Sequence, residues 1–380
     1  MGDIDRLILL TNQMHLEPAE DISGPDLTPR AREAITVKTA LMPNGKSIRL
    51  LKTLLSSYCE RNCSYCPFRS GRDMPRTSFT PDDFARLFDS LYHSGYVEGI
   101  FLSSSIFQGS VIAQDKLLAT ASLLREHYQF QGYLHLKIMP GAERGQILEA
   151  MRLADRLSVN LEAPHPQALS SLAPQKDFEN DLLTPLRWIE EIRNSQAPYR
   201  AWKKVWPSST TQFVVGAAGE SDLDILTATD YLYQKARISR AYYSSFTPIE
   251  NTPLENLPPS PALRELRLYQ AFYLLRDYGF TTEELTYQDN GNLHLEIDPK
   301  LAWANQNLLH DPVEINTAPR ATLLRVPGLG PARVDKIIAL RQQNKLKSFT
   351  QLRKNHLADL KTAPFLLING KRATQQPLLF

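Results

Sequence analysis

The stretch that decides the fold is Tyr58-Cys59-Glu60-Arg61-Asn62-Cys63-Ser64-Tyr65-Cys66-Pro67, which contains all three cysteines of this 380-residue chain. An odd number of cysteines, clustered this tightly, does not fit a disulfide framework. Three thiolates on a short loop can hold three irons of a cubane [4Fe–4S] cluster and leave the fourth iron open for chemistry. The stretch therefore predicts a metal site.

A zinc site is the main alternative for these cysteines. It would need a fourth ligand, such as one of the eight histidines, and structural zinc more often uses paired knuckles, whereas the sequence has no second C-x-x-C. Three unliganded cysteines are the other alternative. The spacing favours the cluster because structural zinc sites are closed, and three cysteines alone leave one position open.

The cysteine stretch follows the first of six short apolar runs that alternate with segments of helical spacing. The predicted strands are Ile48–Ser56, Gly99–Ser103, Tyr133–Ile138, Leu157–Glu162, Thr211–Val215 and Ala241–Phe246. Six β-then-α units indicate a parallel sheet, either open and doubly wound or closing towards a barrel. In both cases ligands bind at the carboxyl ends of the strands.

The pattern Cys59-x-x-x-Cys63-x-Tyr65-Cys66 after a first strand resembles the motif of the radical S-adenosylmethionine (SAM) superfamily. The resemblance implies an α/β fold, a partial (β/α)6 TIM-like barrel, with a [4Fe–4S] cluster and SAM as cofactors. It implies that the methionyl part of SAM chelates the unique iron, and that one electron cleaves SAM to give a 5′-deoxyadenosyl radical that abstracts hydrogen. It also implies an electron donor such as reduced flavodoxin or ferredoxin.

The resemblance places SAM-binding residues at the motif itself, at Tyr65, and at the end of the second strand. There the superfamily usually has Gly-Gly-Glu, and this chain has Ser103-Ser104-Ser105. The three hydroxyls can accept hydrogen bonds from the ammonium group of SAM, although the carboxylate is missing. A polar turn between strand and loop is the alternative.

At the end of the fourth strand, Asn160 and Glu162 share one face because side chains alternate along a strand. In the superfamily, polar residues at this place contact the ribose or the amino-acid part of SAM. The alternative is a structural Glu162 that pairs with Lys137 or Arg156.

The fifth strand and its turn resemble the segment that lies beside the adenine of SAM, with Gln212, Gly216 and Gly219 as contacts. The two glycines would allow close backbone approach; an ordinary turn is the alternative. No catalytic residue that quenches or relays the radical is identified. Candidates at the sixth strand are Tyr242, Tyr243 and Ser244.

The last seventy residues form a basic module. Residues 311–380 hold 12 Lys+Arg and 4 Asp+Glu, a net charge of +8, while the whole chain has +2 and the rest therefore −6. This asymmetry predicts an appendage that binds a polyanion on a neutral to acidic body. A solvated charged face is the alternative.

Within this module, Val326-Pro327-Gly328-Leu329-Gly330 forms a tight hairpin between a short helix at Pro319–Arg325 and a second helix that starts at Pro331. The arrangement resembles a helix-hairpin-helix domain. It predicts that amides of Gly328, Leu329 and Gly330 bind a DNA backbone phosphate without sequence preference. The cations expected to assist are Arg325, Arg333 and Lys336. A packing hairpin that mediates protein contacts is the alternative.

The order of these parts resembles a predicted DNA modification or repair family of radical SAM proteins. We expect an N-terminal extension at residues 1–43, a barrel at 44–298 and a small all-α helix-hairpin-helix domain at 299–380. The leading hypothesis is a radical SAM enzyme that acts on DNA. The alternatives are a radical SAM enzyme that modifies RNA or protein, with the hairpin for docking, and a non-enzymatic DNA-binding protein with a structural metal loop.

The sequence gives no sign of a membrane or export. Its longest apolar stretches are far shorter than the ~20 residues that span a bilayer. The first residues lack the basic and apolar regions of a signal peptide. We expect a cytoplasmic protein.

Overall fold

The computed structural model describes residues 1–14, 35–42 and 45–373, and the backbone of residues 21–22. Much of the predicted N-terminal extension and its boundary at residue 44 lie outside these ranges. Within them, no helix is both long and apolar enough to cross a membrane. The chain forms two compact units, one of residues 1–220 and 231–260 and one of residues 221–230 and 261–380.

A mixed sheet of eight strands, ordered in space as in sequence, forms the centre of the first unit. The strands are β1 (Asp21–Ile22), β2 (Val37–Leu41), β3 (Ser47–Leu54), β4 (Gly99–Ser103), β5 (Tyr133–Lys137), β6 (Arg156–Ser158), β7 (Ser208–Val215) and β8 (Arg240–Ser245). Strands β3 to β8 pair in parallel, which confirms the predicted partial (β/α)6 barrel. Strands β1 and β2 extend it in antiparallel pairing, which the sequence analysis does not predict.

Helices connect the parallel strands, so that the carboxyl ends of the strands meet at one edge of the sheet. The helices are α1 (Asp3–Asn12), α2 (Pro81–His93), α3 (Ser110–Ser122), α4 (Arg144–Leu153), α5 (Pro166–Leu172), α6 (Thr184–Ser195) and α7 (Asp222–Lys235). Helix α2 shows how the sequence sets such a boundary. The hydroxyl of Thr80 accepts a hydrogen bond from the Asp83 amide, and Pro81 occupies the first turn.

The second unit contains the predicted helix-hairpin-helix. Its helices are α8 (Ala262–Tyr278), α9 (Pro299–Asn307), α10 (Arg320–Arg325), α11 (Pro331–Gln343) and α12 (Phe349–Lys354). The domain predicted as all-α also has a small sheet with β10 at its centre, formed by β9 (Val313–Glu314), β10 (Leu366–Ile368) and β11 (Lys371–Arg372). Strands of two or three residues are too short to give a periodic pattern.

The hairpin packs on residues that precede the predicted domain boundary at residue 299. Tyr278 packs against the apolar core formed by α10, α11, α12 and β10. The guanidinium of Arg325 donates a hydrogen bond of 2.9 Å to the carbonyl oxygen of Gly279. The predicted boundary therefore falls inside the second compact unit, whose main segment begins at Pro261.

Candidate active site

One open cavity in the first unit lies at the carboxyl ends of the strands, with an empty volume of about 1130 Å³. Cys59, Cys63 and Cys66 all line it. The other predicted site residues that line it are Tyr65, Ser103, Ser104, Ser105, Asn160, Glu162 and Gln212. The fold thus gathers residues of four distant segments around one open cavity.

Arginine side chains hold the backbone of the cysteine loop, which we define as residues 57–76. The guanidinium of Arg76 donates to four carbonyl oxygens at 2.7, 2.9, 2.8 and 3.2 Å, those of Ser57, Phe68, Arg69 and Arg72. The carboxylate of Glu60 accepts hydrogen bonds of 3.1 Å from the amides of Gln108 and Gly109. The protein's own contacts therefore fix the course of the loop that carries the thiols.

Two of the three thiols lie in a desolvated environment. Burial raises the pKa of Cys63 and of Cys66, and Lys176 partly offsets this effect at both. Thiolates are the metal ligands, so binding must release protons. Among the described residues, no group of three His, Cys, Asp or Glu side chains is arranged to hold one ion. A cubane cluster has no such requirement, because each thiolate binds a different iron.

A buried ion pair lies beside the thiols. Lys176 Nζ is 3.1 Å from Glu162 Oε1, and the two side chains are 8% and 6% exposed. Burial alone would raise the pKa of Glu162, but Lys176 and Lys137 together lower it. The Tyr65 hydroxyl donates to the same carboxylate, and its own pKa is raised by burial and by Glu162. Glu162 also has a left-handed backbone, with φ of +67°, a strained conformation often found at functional sites.

Lys176 is a cavity residue that the sequence analysis missed. The partners proposed for a structural Glu162 were Lys137 and Arg156; Lys137 contributes charge, but the hydrogen bond comes from Lys176. Lys176 follows α5 and has no periodic relation to a strand. The ion pair of Lys176 and Glu162 can therefore be seen only in the folded chain.

The polar side chains of the fourth and fifth predicted strands meet in the wall of the cavity. Asn160 Nδ2 donates a hydrogen bond of 3.0 Å to Gln212 Oε1. The amide of Glu162 donates to the carbonyl oxygen of Gln212 at 2.9 Å. This pairing presents an amide group and a carboxylate from neighbouring strands to one space.

The three serines at the end of β4 lie beside Ser56, the residue that precedes the cysteine loop. Ser103 and Ser105 are buried, and Ser104 is half-buried. The amide of Ser105 donates to the carbonyl oxygen of Ser56 at 2.9 Å. The Ser104 hydroxyl donates to the carbonyl oxygen of Ser105 at 2.9 Å, so this side chain already has a partner for its proton.

The predicted adenine contacts at Gly216 and Gly219 lie in the turn after β7. Both have positive φ, of +90° and +75°, which explains the need for glycine. The carboxylate of Glu220 accepts hydrogen bonds from the amides of Gly216 and Ala218. Neither glycine is among the described residues that line the cavity, and their contact with adenine stays a prediction.

Of the three candidates for radical relay, Ser244 lines the cavity. The side chain of Tyr243 is 1% exposed and stacks on Phe213 at 6.2 Å between ring centroids. Tyr242 is 3% exposed. Both tyrosines therefore belong to the packed interior.

In the second unit, side chains hold the carbonyl oxygens of the hairpin. Lys300 Nζ donates a hydrogen bond of 2.6 Å to Leu329, and Arg333 donates one of 2.7 Å to Gly328. Gly328 has φ of +80°, and a Cβ there would lie 2.5 Å from Thr362 Oγ1. Glycine is thus required at this position for the turn and for the contact with Thr362.

The three cations predicted to bind phosphate have different surroundings. The guanidinium of Arg325 lies 3.8 Å from the ring centroid of Phe280 and forms an ion pair with Glu284. Arg333 is 3.5 Å from a carboxylate oxygen of Asp359. Lys336 is exposed. Arg325 therefore acts in packing, whereas Arg333 and Lys336 lie nearer to solvent.

Comparison with known proteins agrees with this geometry. Residues 53–232 match the model of the Radical SAM superfamily, a range that includes the cysteine loop and strands β4 to β7. The chain carries a radical SAM domain. Residues 310–358 match the helix-hairpin-helix motif, so both parts of the predicted resemblance are confirmed. Enzymes of the radical SAM superfamily use a [4Fe–4S] cluster and SAM, as the sequence analysis expects.

Solved structures similar to this chain share little sequence with it. Methylornithine synthase is 13% identical, with a TM-score of 0.47 over 60% of this chain and 61% of that chain. The FeFe-hydrogenase maturase HydG from Carboxydothermus hydrogenoformans is 14% identical, with a TM-score of 0.45 over 60% and 51%. The radical SAM methyltransferase TsrM from Kitasatospora setae is 14% identical, with a TM-score of 0.41 over 57% and 39%.

The chain thus spans about half the length of these structures. Likenesses with TM-scores below 0.5 carry no information about the reaction. No curated protein matches the chain in sequence. The DNA modification or repair family remains a prediction.

Proposed function

We propose that the protein reductively cleaves SAM in the cavity of the first unit and that the resulting radical acts on DNA, in modification or repair. The cavity itself carries the proposal of SAM cleavage. It is lined by three thiols, a buried Lys176–Glu162 pair and polar side chains from neighbouring strand ends. The helix-hairpin-helix motif and the charge of +8 over residues 311–380 support DNA as the substrate.

Cys59, Cys63 and Cys66 would hold three irons of the cluster, and the fourth would be left for SAM. When bound, these cofactors supply a one-electron cleavage of SAM that yields a hydrogen-abstracting radical. The hydrogen bonds from Arg76 fix the course of the loop that carries the three thiols.

The side chains around the thiols fit the zwitterionic end and the ribose of SAM. Lys176 and Glu162 offer opposite charges, as a ligand with both an ammonium and a carboxylate requires. The joined amides of Asn160 and Gln212 supply donors and acceptors for hydroxyl groups. The segment Ser103–Ser105 adds further acceptors at the cavity wall.

Two further elements complete the proposal. Cluster-ligating thiolates need a reducing compartment, so we place the reaction in the cytoplasm. A reduced flavodoxin or ferredoxin would supply the electron. The phosphates of DNA would bind the hairpin module without sequence preference, since phosphate contacts carry no base identity.

The decisive experiment is anaerobic reconstitution of the full chain, followed by incubation with SAM, dithionite and defined oligonucleotides. We expect 5′-deoxyadenosine from the wild type and none from Cys63→Ala, together with a mass change in the DNA. Absence of 5′-deoxyadenosine from cluster-loaded protein would contradict SAM cleavage. Product formation with a mass change only in RNA or in a peptide would instead favour the alternative substrates.

A further inference from the structure

A second basic feature lies next to the hairpin. It is a groove in the second unit, which we call the α12 groove, lined by the end of α12, the following loop and one residue of α11. The cationic or titratable residues that line it are Arg333, Arg353, Lys354, His356 and Lys361. Among the described residues of its lining there is one carboxylate, Asp359. The groove is therefore strongly cationic.

Three of these cations are available to a ligand. Arg353, Lys354 and Lys361 are all exposed. In the described part of the chain, none of their side chains makes a hydrogen bond or an ion pair within the protein. They differ in this from Arg325, which forms an ion pair with Glu284. Unpaired like charges around one concavity repel each other, and a bound anion would relieve that repulsion.

The single carboxylate of Asp359 offsets only one of the four permanent cations that line the groove. It accepts hydrogen bonds from the amide of Lys361 at 3.0 Å and from the hydroxyl of Thr362 at 3.2 Å. It also lies 3.5 Å from Arg333. Arg333 in turn donates to the carbonyl oxygen of Gly328 in the hairpin. One side chain therefore connects the hairpin to the wall of the α12 groove.

We infer that the α12 groove binds the phosphodiester backbone of DNA, as a second contact area beside the hairpin. The inference rests on the proposed DNA substrate. Guanidinium and ammonium groups bind phosphate oxygens through charge-assisted hydrogen bonds. Such contacts address the backbone and not the base edges, so the groove adds affinity without sequence preference. Together with the hairpin, the groove would form a longer surface for contact with the DNA backbone.

The test compares two triple variants of the full chain with the same change in net charge. The first removes the groove cations, as Arg353→Gln, Lys354→Gln and Lys361→Gln. The matched control removes three exposed lysines outside the groove, as Lys345→Gln, Lys347→Gln and Lys371→Gln. Binding of a labelled DNA duplex is followed by fluorescence anisotropy over a range of salt concentrations, and the melting temperature of each variant checks the fold.

We expect the groove variant to bind about tenfold or more weakly at low salt. Its slope of log affinity against log salt should be shallower by about 2.7, since each phosphate contact contributes about 0.9. The control should stay close to the wild type. Equal losses in both variants would overturn the groove while leaving the proposed function intact. A wild type without salt-dependent DNA binding would overturn both, and groove-dependent binding of RNA alone would assign the groove to another substrate.

If the triple groove variant proves unstable, the single variants Arg353→Gln and Lys361→Gln serve as the second measurement, each compared with its charge-keeping counterpart, Arg353→Lys or Lys361→Arg. We expect each neutral variant to lower the salt slope by about 0.9 and each charge-keeping variant to hold the wild-type slope, because the inference depends on charge and not on one side-chain shape. Equal slopes in the neutral and the charge-keeping variants would contradict a phosphate contact.

Discussion

In both the cysteine loop and the hairpin, cationic side chains donate hydrogen bonds to backbone carbonyl oxygens. The two regions differ in whether the other cations nearby are paired with carboxylates. In the cysteine loop, Arg76 donates to four carbonyl oxygens. In the hairpin, Lys300 and Arg333 each donate to one. Beside the thiols, Lys176 is neutralised by Glu162, whereas the α12 groove keeps several cations unpaired.

This difference indicates which ligand each region accepts. A cavity whose charges are balanced in pairs favours a ligand that carries both signs, because an isolated ion would leave a buried partner uncompensated. A groove with unpaired surface cations favours a polyanion, whose counterions are released on binding. Net charge over the whole chain is only +2 and hides this division.

The sharpest way to separate the two regions is to remove a thiol. Cys63→Ala should reduce iron from about four atoms per chain to nearly none, because three thiolates are needed to hold the cubane. The salt-dependent affinity for DNA should remain, since the proposed phosphate contacts lie in the second unit. Iron analysis and anisotropy check the two expectations, with Ser70→Ala as an exposed control in the same loop. Retained iron, or zinc in its place, would contradict the cluster.

The balance of charge in the cavity can be broken at Lys176. Lys176→Met should destabilise the apoprotein by about 3–5 kcal/mol, because it leaves Glu162 buried without its main partner. The double variant Glu162→Gln with Lys176→Met should lose less than the sum of the single losses. A double-mutant cycle by chemical denaturation measures this coupling. If the losses of the two single variants simply add in the double variant, Lys176 and Glu162 do not stabilise each other.

The hairpin turn predicts a smaller effect on stability. A Cβ at Gly328 would lie close to Thr362 and the residue would adopt an unfavourable φ, so Gly328→Ala should destabilise the second unit by about 1–3 kcal/mol. Thermal unfolding checks this.

Two variants separate the causes of that loss. Thr362→Ala in the Gly328→Ala background should recover the part due to the contact and leave the part due to φ. Gly330→Ala should cost less, because Gly330 has φ of −99° and its Cβ would lie 3.2 Å from the Tyr278 hydroxyl. Equal losses at both glycines would argue against strain at Gly328.

The parallel strands could be predicted because each is a short apolar run between helices. Gly99–Ser103, for example, matches β4 at both ends. The cysteines and the polar strand ends followed from their spacing. Lys176 could not be predicted, because its closeness to Glu162 arises from the path of the chain after α5. The sequence also could not show that Arg325 packs on the ring of Phe280 and pairs with Glu284. Nor could it show that the two-residue strand β9 pairs with β10.

The smallest expected effect concerns the pH dependence of the hairpin. Burial lowers the pKa of Lys300 to about 7, with Asp298 opposing the shift and Arg325 reinforcing it. The unfolded chain holds this proton up to a pKa of about 10.4, so unfolding takes up a proton at intermediate pH. The contribution of Lys300 to stability must therefore rise as the pH increases from about 7 towards 10.

The measurement is the melting temperature of the wild type minus that of Lys300→Met, taken at several pH values. Below pH 7 the lysine is charged in both states, and the full cost of burying its charge opposes folding. Above pH 7 the neutral amine keeps its hydrogen bond to Leu329 at a lower cost, so the difference should grow by a few degrees. The subtraction cancels titration of groups common to both proteins. A difference that stays flat would mean that the folded state keeps Lys300 charged, and the hairpin would then be held by an ammonium group as the cysteine loop is held by a guanidinium.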